Sequence, residues 1–207
     1  MRILLACAAI VAVGLAAVPA SAQQTIIDQW ASIEAPPAPQ LKEVTVDPST
    51  TALLLIDFVK QNCGRRPRCV AGLPEVKKLL DEARARHMLV VYSHLPGSTM
   101  ADAMPEVAPT GGEPTVEAAI DKFLNTDLDK ILKDKGIKTV IVTGTAANGG
   151  VLYTSAAAVV HGFKVIVPVD GIFADNAFIE KYVAYNFTTA PVVAGGTTLT
   201  KIGMIKF

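Results

Sequence analysis

Four short apolar runs punctuate the chain without polar alternation: Thr51–Asp57 (T-A-L-L-L-I-D), Met88–Ser93 (M-L-V-V-Y-S), Thr139–Thr143 (T-V-I-V-T) and Phe163–Val169. Runs of this length, rich in Val, Ile and Leu, predict strands buried on both faces, as in a parallel sheet. Val192–Thr200 supplies a last strand. Between the strands the apolar period changes to that of a helix. Pro74 opens the first helix, with Val76, Leu79, Leu80 and Ala83 as its buried stripe. Asn125 or Thr126 caps the second, Asp129 completes a capping box, Leu128, Ile131 and Leu132 face inward, and Gly136 ends it. A third helix begins near Asn148 and closes at His161-Gly162, and Phe178–Phe187 forms a fourth. Strand and helix alternate, which predicts an α/β fold: a three-layer α/β/α sandwich with a central parallel sheet and right-handed crossovers.

Such a sheet gathers the residues that end its strands at one edge, where ligands bind. Here these are Asp57, His94, Asp170 and the glycine-rich turn Gly144–Gly150. The stretch Thr139–Val160 organises the chain, because it reads as strand, tight turn and helix N-terminus, with outward-pointing amides at the turn. Gly149 and Gly150 stand side by side there. Each costs about 0.5–1 kcal/mol against alanine in a first turn, so either a ligand approaches the backbone or strand and helix pack tightly. Leu95–Pro114 is long and aperiodic, as expected of a functional loop over the site.

Residues 1–22 carry Arg2, an apolar stretch Ile3–Val18 and the small-x-small triplet Ala20-Ser21-Ala22, the pattern of a cleaved secretory signal peptide. That predicts a periplasmic or secreted protein beginning near Gln23. Residues 23–48, with Ala35-Pro36-Pro37-Ala38-Pro39, form an N-terminal arm, a candidate contact with a neighbouring subunit of a homo-oligomer. Residues 49–207 are the α/β domain. After cleavage 18 basic residues face 19 acidic ones, a net charge of −1, so nothing recruits nucleic acid or an anionic membrane. Cys63 and Cys69 are the cysteines left in the exported chain, and their spacing predicts a disulfide rather than a metal site. No cofactor motif is present. Arg65, Arg66 and Arg68 either hold an anion or form a solvated loop.

With these residues in place, the chain resembles the isochorismatase-like, or cysteine hydrolase, superfamily from about Thr51 to Thr200. The resemblance rests on A-L-L-L-I-D at Ala52–Asp57, F-x-x-T-x-L at Phe123–Leu128 and V-I-V-T-G-T-A-A-N at Val140–Asn148. It implies that Asp57 is a proton shuttle and that a lysine polarises the site. It also implies an oxyanion hole around Thr145, Ala146 and Gly150, where a helix N-terminus meets a non-proline cis peptide. The family motif G-x-A-x-x-x-C-V falls on Gly144–Val151, so Gly150 stands at the position of the attacking cysteine. The family lysine, six residues before Phe123, falls on Glu117, and Lys122 is the nearest lysine. The metal-binding Asp-x-His pattern of nicotinamidase relatives is missing, leaving His94 as a single candidate ligand, too few for a metal.

The resemblance includes an isochorismatase branch in which glycine occupies the cysteine position, the aspartate protonates a vinyl ether and water completes the cleavage. Three readings follow for a small-molecule substrate or ligand. Asp57 works non-covalently as general acid or base with Lys122, beside Thr145, Ala146, Gly149, Gly150 and His94. Alternatively, the pocket is kept by a catalytically silent binding or interaction protein. In the third, an amidohydrolase uses another nucleophile, for which Ser93, Thr145, Tyr153 and Ser155 are candidates. His87 and His161 sit at helix ends, as caps would.

Overall fold

The computed structural model describes residues 23–207, and the signal-peptide expectation lies outside the described residues. Two compact units are present, divided at Pro37–Ala38. In the described part of the first, Ile26–Ser32 forms turns, with the Asp28 carboxylate accepting from the Thr25 amide (2.8 Å) and hydroxyl (2.7 Å).

The second unit runs in the order β1 (Val44–Thr45), β2 (Thr51–Ile56), α1 (Pro67–Ala85), β3 (Leu89–His94), β4 (Thr115–Glu117), α2 (Leu128–Asp134) and β5 (Thr139–Thr145). It continues through α3 (Leu152–Val160), β6 (Lys164–Pro168), β7 (Ile172–Phe173), α4 (Ala177–Thr189), α5 (Val193–Gly196), β8 (Thr197–Thr200) and β9 (Ile205–Lys206). The main sheet has the order β4-β3-β2-β5-β6-β8, every pair parallel, with β7 alongside the end of β5. β1 and β9 pair in a separate small sheet.

All six residues of β2 are buried, and alternate side chains serve opposite layers. Leu53 and Leu55 pack with Leu73, Val76, Leu79, Leu80 and Ala83 of α1. Leu54 and Ile56 face Leu128, Leu132, Ala158, Val183 and Phe187 from α2, α3 and α4. This double burial explains why the strand carries no polar alternation. After β2 the chain steps outward to β3 and β4, then returns to lay β5 on the other side of β2. The carboxyl ends of β2 and β5 thus flank the point where strand order reverses, which is where open α/β sheets bind ligands.

Three local expectations are corrected. The first helix begins at Pro67, seven residues before Pro74, which lies inside it. Pro67 provides the preset φ of a first helical residue, and Pro74, eighth in the helix and lacking an N–H, forgoes the single hydrogen bond its amide would have made to the Val70 carbonyl. The second helix starts after Asp127; Thr126 Oγ1 accepts from Leu128 N at 3.2 Å, while Asp129 turns to Lys133 and His161 rather than closing a capping box. The last strand begins at Thr197, because Val193–Gly196 forms a helical turn whose Gly196 lies against Val159. The edge strand β4 is three residues long, too short to carry a pattern legible in sequence.

Candidate active site

Asp57 is the first residue past β2, and its backbone leaves the strand in the left-handed region (φ 51°). Aspartate tolerates that region better than most non-glycine residues. The turn aims the carboxyl group into the sheet end, where it is 1% exposed. Lys122 Nζ lies 2.8 Å from Oδ2, and the lysine side chain is fully enclosed. The same ammonium donates to the carbonyls of Ala118 (2.6 Å) and Ala119 (3.2 Å), so its three donors meet three acceptors. Glu117 does not reach Asp57. It ends β4 with its carboxylate half exposed, 3.6 Å from His94 Nδ1.

Ser93, at the end of neighbouring β3, donates to Asp57 Oδ1 at 2.7 Å and accepts from the Asp57 amide at 3.2 Å. Burial pushes the Asp57 carboxyl above its ordinary range, with the charge of Lys122, the hydrogen bonds from Lys122 and Ser93, and His94 opposing that rise. The backbone of Lys122 is fixed as well, since its amide donates to Thr154 Oγ1 (3.2 Å) on α3.

The glycine-rich turn closes over this pair. The Thr145–Ala146 peptide is cis. Residues Ala147–Val151 form a wide turn ahead of α3, and the amides of Gly149 and Val151 donate to Ala146 O (2.9 and 3.3 Å). A Cβ built on Gly150 would stand 3.2 Å from Asp57 Oδ2, 3.7 Å from Lys122 Cε and 2.8 Å from Ile56 Cγ2. The glycine therefore lies directly against the ion pair, in space that Ile56 narrows. Gly144 approaches the opposing strand more closely still: a Cβ there would be 2.3 Å from Ile56 O, and its φ is 141°. Thr145 Oγ1 is buried with no hydrogen-bond partner among the described residues.

Most of the remaining candidates have other partners, and Ser93 and His94 serve the centre without a role as nucleophile or metal ligand shown for them. His94 is mostly buried with Nδ1 3.2 Å from Leu95 O, and among the described residues no three His, Cys, Asp or Glu side chains converge. Asp170 accepts from the Ile202 amide (2.9 Å), a tie to the C-terminal segment. Ser155 is buried without a partner, Tyr153 is half exposed, and Ser93 is committed to Asp57. His161 ends α3, pairs with Asp129 (2.9 Å) and stacks on Phe123 with ring centroids 4.6 Å apart. Arg66 and Arg68 face Asp175 and Glu180, each with an acidic partner already in place. Cys63 and Cys69 are bonded in a loop just before and within the start of α1. Asn62, beside that loop, donates from Nδ2 to Thr145 O (2.9 Å), a contact that no spacing in the sequence announces.

The structure and sequence of this chain are similar to those of known proteins. Among solved structures, an isochorismatase-like hydrolase from Alkaliphilus metalliredigens matches with a TM-score of 0.67 and 25% identity, over 74% of this chain and 95% of that one. N-carbamoylsarcosine amidase from Thermoplasma acidophilum (TM-score 0.63, 23% identity, 74% and 96% covered) and nicotinamidase/pyrazinamidase from Bacillus subtilis (0.65, 14%, 73% and 100%) share the fold. The isochorismatase family protein YwoC of Bacillus subtilis, itself uncharacterized, is 28% identical over 164 residues, 66% of this chain and 85% of that protein. The model of the isochorismatase domain matches residues 51–188, from the first residue of β2 to the last turn of α4, and the chain belongs to the isochorismatase family of hydrolases.

Proposed function

We propose that this protein is a hydrolase that acts on a small molecule without a covalent intermediate, using Asp57 as general acid and base. The observation that carries the reading is the buried Asp57–Lys122 pair, 2.8 Å apart, covered by a glycine where a nucleophilic side chain would otherwise sit. Both sulfurs among the described cysteines are bonded to each other. Gly150 offers a backbone and no attacking group.

The chemistry that suits such a pair is cleavage of an enol ether. Burial raises the Asp57 carboxyl, which is the direction that general-acid work requires. It would deliver its proton to the terminal carbon of the enol ether, leaving an oxocarbenium ion. Water would add to the cation and lose a proton to the Asp57 carboxylate, and the hemiketal would collapse to a ketone and an alcohol. Lys122 would keep the regenerated carboxylate from holding its proton too tightly. The amide and imide chemistry named for structural neighbours belongs to those proteins, and the glycine at position 150 argues against carrying it over unchanged.

One observation favours a second reading. Lys122 already spends all three donors on Asp57, Ala118 and Ala119, and Asp57 is closed to solvent, as expected if the pair only supports a ligand-binding fold. A screen of small enol ethers, amides and imides, followed by intact-mass measurement during turnover, separates the two. Turnover with no added mass on the protein supports the hydrolase. A covalent adduct contradicts it, and ligand-dependent increases in melting temperature without turnover replace it with the binding reading.

A further inference from the structure

Asn62 lies five residues beyond Asp57, on the 3-10 turn that precedes α1, and is 7% exposed. Its amide is held from both ends. Arg66 Nη1 donates to Asn62 Oδ1 and also to the Asn62 carbonyl (3.0 Å), and Asn62 Nδ2 donates to Thr145 O (2.9 Å). Only one orientation of the amide satisfies both neighbours, because the guanidinium needs an acceptor and the carbonyl needs a donor. Arg66 is anchored in turn by Asp175, whose Oδ1 lies 2.9 Å from Nε without the alignment of a hydrogen bond.

The carbonyl that Asn62 holds belongs to the residue before the site turn. The next carbonyl, that of Ala146, receives the amides of Gly149 and Val151. Two consecutive carbonyls thus fix the turn, one from outside through Asn62 and one from within. Gly150 rides on this turn against Asp57, so a displacement at Thr145 is passed to the distance between Gly150 and the ion pair. We infer that Asn62, oriented by Arg66, is a positioning residue that sets the site turn against Asp57 and Lys122 through the Thr145 carbonyl. Neither residue touches the reacting groups. The assignment rests on the reading of Asp57 and Gly150 as the working centre.

This role explains an otherwise unassigned buried charge. Arg66 is largely enclosed although its carboxylate partner Asp175 is mostly solvent-exposed, so the salt bridge alone gives little reason to bury a guanidinium. Donation to Asn62 supplies that reason.

The test is backbone hydrogen exchange, read by NMR on the full chain, in wild type, Asn62→Asp, Arg66→Ala and Arg66→Lys. Asn62→Asp is nearly isosteric and keeps an acceptor for Arg66 while losing the donor to Thr145. Losing one buried hydrogen bond should accelerate exchange of the Gly149 and Val151 amides by about tenfold in Asn62→Asp and Arg66→Ala. Val76–Leu80 amides in α1 should keep their wild-type rates. Arg66→Lys, which can still donate to Oδ1, should restore most of the protection at the turn. The Thr145 carbonyl 13C resonance should shift in Asn62→Asp and Arg66→Ala and stay near its wild-type position in Arg66→Lys. Unchanged exchange at Gly149 and Val151 in Asn62→Asp would overturn the inference. So would acceleration spread evenly through α1, which marks a merely structural role. None of these readings uses turnover, so they stand apart from the screen that judges Asp57.

Discussion

Lys122 and Asp57 meet at 2.8 Å although the sequence register of the family lysine points to Glu117, five residues earlier. The loop between β4 and α2 brings Lys122 back to the carboxyl end of β2, and the carbonyls of Ala118 and Ala119 accept hydrogen bonds from its remaining N–H groups. The ammonium facing Asp57 thus comes from Lys122 and not from the residue at the register position.

Breaking this pair on one side leaves a buried charge without a partner. Lys122→Met should destabilise the fold by about 3–5 kcal/mol, and the double variant Lys122→Met/Asp57→Asn should lose less than the sum of the single losses. Urea unfolding of the four proteins gives the coupling directly. Equal additivity would mean that the two groups do not share one interaction.

The titration of Asp57 has a defined sign. Its folded pKa lies above the ordinary value of 3.8, so the folded state binds the proton more tightly than the unfolded one, and stability falls as pH rises from there through the folded pKa. Glu113 acts in the opposite sense. Burial alone would raise it, but the hydrogen bonds from Arg84 and the Thr110 amide together hold it below its ordinary value. Its contribution is present above the unfolded pKa and is lost as pH falls through the folded one. A carbon-13 titration of the side-chain carboxyls should place Asp57 above 3.8 and move it higher still in Lys122→Met, since Lys122 is the main group opposing the rise. A lower midpoint in that variant would contradict the assignment.

The two close glycines differ in what they tolerate. Gly144→Ala places a methyl group against the Ile56 carbonyl at a positive φ and should cost about 2–4 kcal/mol in urea unfolding. Gly150→Cys meets the Ile56 side chain, which can shift, and should cost about 1–3 kcal/mol. If the Gly150 variant gains amidase activity, an oxyanion-binding turn is in place and only the thiol was missing. A Gly144→Ala protein as stable as wild type would refute the close approach of β2 and β5.

Most of the fold was legible because buried parallel strands leave an unmistakable pattern: after Thr51, A-L-L-L-I has no polar side chain to give either face to solvent, and the strand is buried on both. Asp57 was legible for a related reason, being the first charge after that run. Lys122 was not placed by register, because loop geometry decides it and loops carry no period. Ser93 was visible as a hydroxyl at the end of β3, but its pairing with Asp57 follows from β2 and β3 being neighbours, a fact of topology. Pro74 misled because proline marks helix starts more often than the second turn, and Pro67 had already taken that place. Asn62 left no signal, since its partners lie 4 and 83 residues away.

The bond between Cys63 and Cys69 closes a short loop, and constraining the unfolded chain in this way is worth about 2 kcal/mol by loop entropy. A Cys63→Ser/Cys69→Ser protein should unfold at correspondingly lower urea. Alkylation of unreduced, denatured protein should add no mass. Two freely alkylated thiols in protein isolated from an oxidising compartment would contradict the bond.

The most direct measurement is the rate of enol ether hydrolysis by wild type and Asp57→Asn at equal concentration, both shown to be folded. Asparagine accepts the left-handed backbone at position 57 and fills the same space, so the substitution removes the titrating carboxyl while also taking the charge partner from Lys122, which is why both proteins must be shown to be folded. If Asp57 is the acid and base of this site, turnover in the variant falls by about 100-fold or more, with the wild type forming no covalent adduct. Turnover that survives Asp57→Asn within a few-fold of wild type would contradict the account.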